Sequence, residues 1–335
     1  MRARDLDYQL PDELIAQRAA EPRDSARLLV FERASGAVRH RVFRDLPEEL
    51  DPSDLVVVND TRVLPVRIRA RRATGGAAEV LLLEPDPAGG WEALVRPYRR
   101  LRIGERLQSG GLAVTIAEKL GDGRARVQVD ADGRLEEVLE RAGEMPLPPY
   151  ITEPLSDPSR YQTVYAREPG SAAAPTAGLH FTDELWARLR AQNQVVEVTL
   201  DVGLDTFRPL TADVVEEHHI HSERYVMPEA TAAAVDAARS EGRRIVAVGT
   251  TTVRVLETVF GEPRGPLQGR SRLLITPGHR FAATGAMVTN FHLPRSTLLA
   301  LVMAFAGEQP TRDLYRTAVR DRYRFYSFGD ASLIL

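Results

Sequence analysis

Hydrophobic and polar residues alternate with a period of two in the segment between residues 66 and 130. The alternation falls in short runs separated by glycine-rich turns, among them VRIRARRA, AEVLLLEP, WEALVRP, LAVTIAEKL and RARVQV. Such runs predict half-buried strands, and a succession of short strands is typical of a small barrel or sandwich. A short helix, RLEEVLERAG, and the proline-rich MPLPPYI follow. We therefore predict a small β-rich domain, a barrel or a sandwich, over residues 66–148.

From about residue 180 onward the pattern changes to strands and helices in alternation. Apolar runs such as VVEVTLDV, RIVAVG, RLLIT and AMVTNF are separated by segments of helical periodicity. Near the N-terminus, DLVVVND is a continuous apolar run of the kind found in buried parallel strands. The alternation predicts an α/β fold, a mostly parallel sheet covered by helices. Residues 1–65 and 149–335 are predicted to form this discontinuous domain, with the β-rich domain of residues 66–148 inserted into it.

Composition excludes several classes of protein. The 335 residues, 43% of them hydrophobic, are enough for two cores, and the chain has no cysteine for disulfides or thiolate chemistry. The N-terminus lacks the apolar stretch of a signal peptide. The longest apolar run, LLALVMAFA, is far shorter than the roughly 20 residues that span a bilayer. We therefore expect a cytoplasmic protein that does not associate with membranes.

Positive charge is concentrated in the predicted β-rich domain although the net charge of the chain is −3. Residues 62–106 contain ten arginines against five acidic residues. A basic stripe that includes an aromatic residue, here Tyr98, suits a polyanion, but charges along a solvated edge strand also prevent aggregation. Both interpretations stay open on charge alone. The candidate nucleic-acid contacts are Arg67, Arg69, Arg99 and Arg100.

Polar residues follow two of the predicted buried strands. NDTR, at the end of DLVVVND, places polar groups where open α/β sheets bind ligands. In IVAVGTTTVRVLE a strand runs through a glycine into a helix, whose free N–H groups suit a carboxylate or phosphate. Ordinary N-capping by a threonine is the structural alternative. The candidates in these two motifs are Asn59, Asp60, Arg62, Gly249, Thr250, Thr251, Thr252 and Arg254.

Histidines occur in three motifs that could carry chemistry. His180 lies in AAPTAGLHFTDELW, a turn before a helix, where it is either a rigidly held proton carrier or a structural turn residue. Asn290 and His292 precede a buried helix in TNFHLPRST. In EEHHIHSERY, the residues His219, His221 and Glu223 resemble a metal-ligand set, although no second histidine motif completes it.

Ten segments resemble, in the same order, those of the S-adenosylmethionine:tRNA ribosyltransferase-isomerase family of queuosine biosynthesis. They cover nearly the whole chain and are NDTRVLP, GGAAEVLLLEP, MPLPPYI, YQTVYA, AAPTAGLHFT, VGLDTFRPL, HSERY, VAVGTTTVRVLE, TNFHLPRSTLLALV and YRFYSFGDASLIL. The resemblance implies an α/β domain interrupted by a small β-barrel. It also implies transfer and isomerisation of the ribosyl group of S-adenosylmethionine onto the aminomethyl-deazaguanine at the tRNA wobble position. The products are epoxyqueuosine-tRNA, adenine and methionine.

With this resemblance the motifs gain candidate roles. A catalytic role becomes the favoured interpretation of His180. Asp183 and Glu184 are expected to keep its imidazole protonated. S-adenosylmethionine is the one small-molecule substrate implied, no metal is expected, and we expect a monomer. The candidate proton carriers are His180, His221, His292 and Asp201, and Thr176, Gly178 and Asn290 join the candidate substrate-binding residues.

The chain departs from the family pattern at two positions of TLDVGLDTF. Asp201 and Asp205 stand where the family usually shows histidine and glycine. If the family uses a histidine there as proton carrier, Asp201 or another group must replace it. Two other classes of function stay open: a metal-dependent hydrolase that uses His219, His221 and Glu223, and a non-catalytic RNA-binding protein that uses the basic ribbon.

Overall fold

The computed structural model describes residues 1–86, 89–155, 157–203, 210, 212–218, 220 and 222–335. The chain divides into two compact units. The first comprises Met1–Thr61, Pro149–Glu168 and Ala174–Leu335. The second comprises Arg62–Pro148 and also Pro169–Ala173, a short segment that the sequence pattern assigned to the first domain.

The first unit is built on one large sheet with helices around it. Its strands are β1 (Arg27–Phe31), β2 (Val38–Val42), β3 (Leu55–Asn59), β12 (Gln194–Leu200), β13 (Glu223–Val226), β14 (Ile245–Val248), β15 (Gln268–Ser271), β16 (Ala286–Asn290) and β17 (Ala331–Ile334). Its helices are α1 (Leu46–Glu49), α3 (Asp183–Gln192), α4 (Glu229–Ser240), α5 (Thr250–Phe260), α6 (Thr297–Ala306) and α7 (Glu308–Arg320). Two further short strands, β4 (Thr61–Val63) and β11 (Glu168–Ser171), form a separate two-stranded sheet, and most of their residues belong to the second unit.

The sheet has nine strands in the order β15-β13-β12-β3-β14-β16-β17-β1-β2. The α/β class is confirmed, but the sheet is mixed rather than mostly parallel. Strands β12, β3, β14 and β16 run parallel to one another, as do β17 and β1. Antiparallel pairing joins β13 and β15 to one edge, β2 to the other, and β17 to β16. Antiparallel strands therefore extend a parallel centre that the sequence pattern had identified.

The centre of the sheet is buried on both faces, as the continuous apolar run of β3 predicted. Alternate residues of five strands point into one core, against which α3 packs through Leu185 and Leu189. The core residues of the strands are Leu28, Val30, Val56, Val58, Val246, Val248, Ala286, Val288, Ala331 and Leu333. Removal of these β-branched and aliphatic side chains from water is the main stabilising contribution of this unit.

The second unit is a closed barrel of six antiparallel strands, as predicted. The strand order is β10-β7-β6-β5-β8-β9, and β9 pairs with β10 to close it. The bounds are β5 (Arg67–Arg72), β6 (Ala77–Pro85), β7 (Trp91–Arg96), β8 (Arg106–Ser109), β9 (Leu112–Gly121) and β10 (Arg124–Ala131), followed by helix α2 (Leu135–Ala142). Alternating burial along β5 places Ile68 and Ala70 inside and leaves Arg69 and Arg71 exposed.

One predicted strand, RLLIT, does not form. The neighbouring Gln268–Ser271 is strand β15 instead. The backbone of Leu273 is bonded to side chains, since its N–H donates to Ser271 Oγ at 3.3 Å and its carbonyl accepts from Arg254 Nε at 3.3 Å. These bonds replace a strand ladder. Within the described residues, no helix is long and apolar enough to cross a membrane.

Candidate active site

A cleft opens at the carboxyl ends of β14 and β16, the place where open α/β sheets bind ligands. Its empty volume, counting the part open to solvent, is about 630 Å³. Aromatic and aliphatic side chains line it together with hydroxyl and amide groups, and no described lining residue is Asp, Glu, Lys or Arg. Six of the predicted site residues line this cleft: Thr176, Gly249, Thr250, Thr251, Asn290 and His292.

The start of α5 forms one wall of the cleft. Gly249 has φ of +93°, a conformation that glycine adopts without strain, and it turns the chain from β14 into the helix. Within the described part of the chain no side chain caps the first turn, so the structural alternative, N-capping by a threonine, is not observed. Thr252 Oγ1 instead donates to the carbonyl of Val248 at 2.8 Å, and Thr251 Oγ1 accepts from Asn59 Nδ2 at 3.3 Å. The N–H groups of this turn are therefore available to an acceptor on a ligand.

His292 is the described histidine that lines the cleft. Its Nε2 lies 2.8 Å from Thr289 Oγ1, and burial lowers the pKa of the imidazole to about 3, so the ring is neutral. Two tyrosines hold its backbone. Tyr315 Oη accepts from the His292 N–H at 3.0 Å, and Tyr8 Oη donates to its carbonyl at 2.5 Å.

His180 is buried beside the cleft without being one of its described lining residues. Its ring stacks on Phe43 with centroids 4.7 Å apart, and its Nε2 accepts from Asn290 Nδ2 at 3.2 Å. Burial, with the positive charges of Arg324 and Arg23, lowers its pKa to about 3. The expectation that the acidic residues at the start of α3 keep this imidazole protonated is therefore wrong, because desolvation and two arginines act in the opposite direction.

Asn290 connects His180 to a strained tyrosine that sequence reasoning missed. Its Nδ2 also donates to the carbonyl of Tyr326 at 3.0 Å. Tyr326 has φ of +73°, which costs a bulky residue about 1 to 3 kcal/mol. Its ring lies 4.7 Å from that of Tyr150, and both rings line the cleft. The signals available were the segments YRFYSF and MPLPPYI, but neither shows that the chain turns through a left-handed residue.

Three predicted residues near β3 belong to hydrogen-bond networks. The side chain of Asn59 is fully buried, donates to Leu200 O at 3.1 Å and accepts from Leu200 N at 3.0 Å. Asp60 accepts from Thr199 Oγ1 at 2.7 Å and from Arg167 Nη2 at 2.7 Å. Asp201 accepts from Arg224 Nε at 2.7 Å. Burial raises the pKa of both carboxyl groups, and none of these three residues is among those described as lining the cleft.

Arg254, one of the candidate substrate-binding residues, is paired inside the protein. Its guanidinium forms an ion pair with Glu223, and neither residue is a described lining residue of the cleft. Glu223 Oε1 also accepts from the Gly203 N–H at 3.0 Å. This carboxylate, proposed as one metal ligand, is thus already neutralised. The other members of that set, His219 and His221, lie outside the described residues, as does Asp205. The described part of the chain contains no cluster of three or more potential metal ligands.

Two other predicted substrate-binding residues serve local packing. A Cβ atom on Gly178 would lie 2.0 Å from Tyr165 Oη and 2.8 Å from Thr163 Cγ2, so only glycine fits between them. Arg62 is paired with Glu140 in the second unit at 2.7 Å.

The arginines of the barrel fall into a paired and an unpaired set. Arg69 contacts Glu144 at 2.7 Å, and Arg67 donates to Leu147 O at 3.5 Å. In contrast, the exposed guanidinium groups of Arg99 and Arg100, in the turn after β7, have no partner among the described residues. Arg102, in the same turn, is also exposed but interacts with Glu105.

Comparison with known proteins supports, over the full length of the chain, the family resemblance that the ten sequence segments showed. A family model described as "Queuosine biosynthesis protein" matches residues 3–334. The S-adenosylmethionine:tRNA ribosyltransferase-isomerase of Symbiobacterium thermophilum is 55% identical, with 100% of both chains covered. That of Rubrobacter xylanophilus is 52% identical, covering 100% of this chain and 98% of the relative. A crystal structure of S-adenosylmethionine tRNA ribosyltransferase from Thermotoga maritima matches with a TM-score of 0.57 and 39% identity, over 99% of this chain and 100% of that one. The chain therefore belongs to the queuosine biosynthesis family of S-adenosylmethionine:tRNA ribosyltransferase-isomerases.

Proposed function

We propose that the protein transfers and isomerises the ribosyl group of S-adenosylmethionine onto the aminomethyl-deazaguanine at the wobble position of tRNA. The products are epoxyqueuosine-tRNA, adenine and methionine. The full-length match to ribosyltransferase-isomerases is the observation that carries this conclusion. The cleft supports it, since it lies at the ligand-binding edge of the sheet.

The reaction needs a proton acceptor, a route for adenine to leave and an uncharged amine. The sulfonium of S-adenosylmethionine withdraws electrons and acidifies the adjoining ribose methylene, so a positioned base can start the reaction without a metal. His292 is our candidate for this base, because its imidazole lines the cleft beside the hydroxyl group of Thr289. Its hydrogen bond to Thr289 and the backbone bonds to Tyr8 and Tyr315 fix the ring.

The carboxylate of the methionine moiety fits the start of α5. The uncapped N–H groups there are good donors to an anion, and the positive end of the helix dipole favours it. Arg254 is not given this role, because its guanidinium is paired with Glu223. We assign tRNA binding to the arginines of the barrel. We place the enzyme in the cytoplasm, as a monomer.

The activity is tested by incubating the protein with S-adenosylmethionine and tRNA that carries the aminomethyl-deazaguanine. We expect release of adenine and methionine in equal amounts with the modified tRNA. His292→Gln should lower the single-turnover rate by roughly 10²-fold, the range for removal of a proton carrier. His40→Gln is the control, since His40 lies on β2 away from the cleft. Absence of adenine release by the parent protein would disprove the proposed function.

A further inference from the structure

We infer that Tyr326 and Tyr150 form an aromatic platform for the adenine ring of S-adenosylmethionine, and that His180 holds this platform in place through Asn290. The inference rests on the proposed function and assigns one part of the substrate to one wall of the cleft. It gives His180 a positioning role in place of the proton-carrier role that its motif suggested.

The platform is a pair of rings in a cleft that has no Asp, Glu, Lys or Arg among its described lining residues. The centroids are 4.7 Å apart and the planes are inclined by 52°, so the rings form an open angle rather than a closed stack. Tyr150 is partly exposed, which leaves ring surface for a ligand. Tyr150 Oη is hydrogen bonded to Ser327 Oγ at 2.7 Å, which fixes the ring. Adenine is the only aromatic group of S-adenosylmethionine, and uncharged bases stack well on tyrosine.

Backbone strain at Tyr326 supports a role for the side chain at this position. Glycine would adopt φ of +73° without strain, yet this position holds a bulky aromatic residue. Three hydrogen bonds maintain the conformation. The Tyr326 N–H donates to Phe291 O at 3.0 Å, and the Tyr326 carbonyl accepts from Gly329 N and Asn290 Nδ2, each at 3.0 Å. Strain maintained in this way is characteristic of functional sites, and what it secures here is an aromatic wall of the cleft.

His180 acts on this wall through a single side chain. The Nδ2 group of Asn290 spans two acceptors, His180 Nε2 and the Tyr326 carbonyl. Because Asn290 Nδ2 can only donate, this arrangement requires the His180 tautomer whose Nε2 carries no proton. Phe43 fixes the plane of the imidazole. His180 is therefore a positioning residue that supplies an acceptor to Asn290, and burial lowers its pKa and so favours the neutral ring that this role needs.

The platform is tested by binding of two ligands that share adenine. The dissociation constants of S-adenosylmethionine and 5′-methylthioadenosine are measured by calorimetry for the parent and for Tyr326→Leu. We expect both ligands to bind between about 5-fold and 100-fold more weakly to the variant, the effect of removing one stacking partner. Tyr326→Phe keeps the ring and should bind both ligands within about threefold of the parent.

Tyr323→Leu is the matched control, because Tyr323 is a fully buried tyrosine of the same segment that does not line the cleft. It should leave both dissociation constants unchanged. If Tyr326→Leu weakens only S-adenosylmethionine, the ring contacts the methionine moiety and the platform is wrong. Unchanged binding of both ligands also overturns it. Adenine release by the parent is measured first, so that failure of the function itself is recognised separately.

The role of His180 is tested by its kinetic pattern. His180→Leu removes the acceptor and should raise the KM for S-adenosylmethionine about tenfold, with little change in kcat or in the pH profile. His180→Gln returns an acceptor oxygen and should recover most of the affinity. A large fall in kcat with disappearance of one limb of the pH profile would make His180 a proton carrier and refute the positioning role.

Discussion

Two neutral, buried histidines make the stability of this protein depend on pH. The folded-state pKa of both His180 and His292 is about 3, below the roughly 6.5 of an unfolded chain. Their contribution is fully present above pH 6.5 and is lost as the pH falls toward 3, because only the unfolded chain then binds the protons. At pH 5 each histidine should lower the free energy of unfolding by about 2 kcal/mol.

Urea unfolding of the parent at pH 7 and pH 5 measures this decrease. His180→Gln and His292→Gln should each reduce the difference between the two pH values. His40→Gln is the matched control, a replacement of a histidine whose side chain is 45% exposed. A difference that is the same in all three variants would mean that other groups cause the acid sensitivity.

A second prediction at the scale of single residues concerns the close packing around Gly178. Gly178→Ala should destabilise the protein by about 1 to 3 kcal/mol, the cost of overpacking, because the new methyl group meets Tyr165 Oη. Tyr165→Phe in the same chain should restore part of the stability. Gly203→Ala is the control, since its nearest contact would be 3.8 Å away. Thermal unfolding of the four proteins gives the comparison, and an undisturbed Gly178→Ala would show that the turn can move.

At the scale of elements, the turn after β7 is the better candidate for tRNA contact than β5. Arg99, Arg100 and Arg102 are exposed and the guanidinium groups of Arg99 and Arg100 have no partner among the described residues, whereas Arg69 would first have to leave Glu144. Replacing all three of the former by glutamine should flatten the slope of log affinity for tRNA against log salt. The expected change is up to about one unit for each phosphate that the variant no longer binds.

The matched control replaces three paired arginines of the barrel, Arg69, Arg72 and Arg106, by glutamine. Filter binding of tRNA at several salt concentrations measures both slopes. If both triple variants flatten the salt dependence equally, tRNA contacts extend over the whole barrel. No change in either would place the tRNA elsewhere on the protein.

Local periodicity predicted most elements correctly but did not determine how they pair. The two-residue period of the barrel strands and the buried run of β3 are properties of short segments, so the sequence displays them. The place of β17 is not such a property. This strand pairs with β16 and β1, which are far away along the chain, and its antiparallel pairing with β16 is one of those that make the sheet mixed. RLLIT has a strand composition, yet its backbone is bonded by Arg254 and Ser271.

The sequence motifs predicted which residues lie in the candidate site, but they did not predict the role of each residue. Both Asn290 and His292 came from TNFHLPRST, and the cleft brings them together with Thr250 and Thr251. Sequence cannot show that His180 lies behind Asn290, because that depends on β16 and the turn before α3 meeting in the fold. Tyr150 and Tyr326 were missed since their proximity joins segments more than 170 residues apart.

For the whole molecule, the cleft and the barrel arginines belong to different compact units. Hydrogen exchange with 5′-methylthioadenosine should therefore protect amides near Gly249 and Asn290 and leave those of residues 66–148 unchanged. The measurement is mass spectrometry of peptides with and without the ligand, and tRNA provides the reciprocal comparison. Protection of the barrel strands by the small ligand alone would contradict a site contained in the first unit.

The absence of charged side chains among the described lining residues of the cleft also bears on the order in which the substrates add. Tight binding of tRNA requires arginines and weakens steeply with salt, while a ligand held by dipoles and stacking responds little. A rise in ionic strength is therefore expected to weaken the binding of tRNA much more than the binding of S-adenosylmethionine. If tRNA adds first, the apparent KM for S-adenosylmethionine rises with salt at limiting tRNA and returns to its low-salt value at saturating tRNA. If S-adenosylmethionine adds first, saturating S-adenosylmethionine leaves the salt effect on tRNA undiminished.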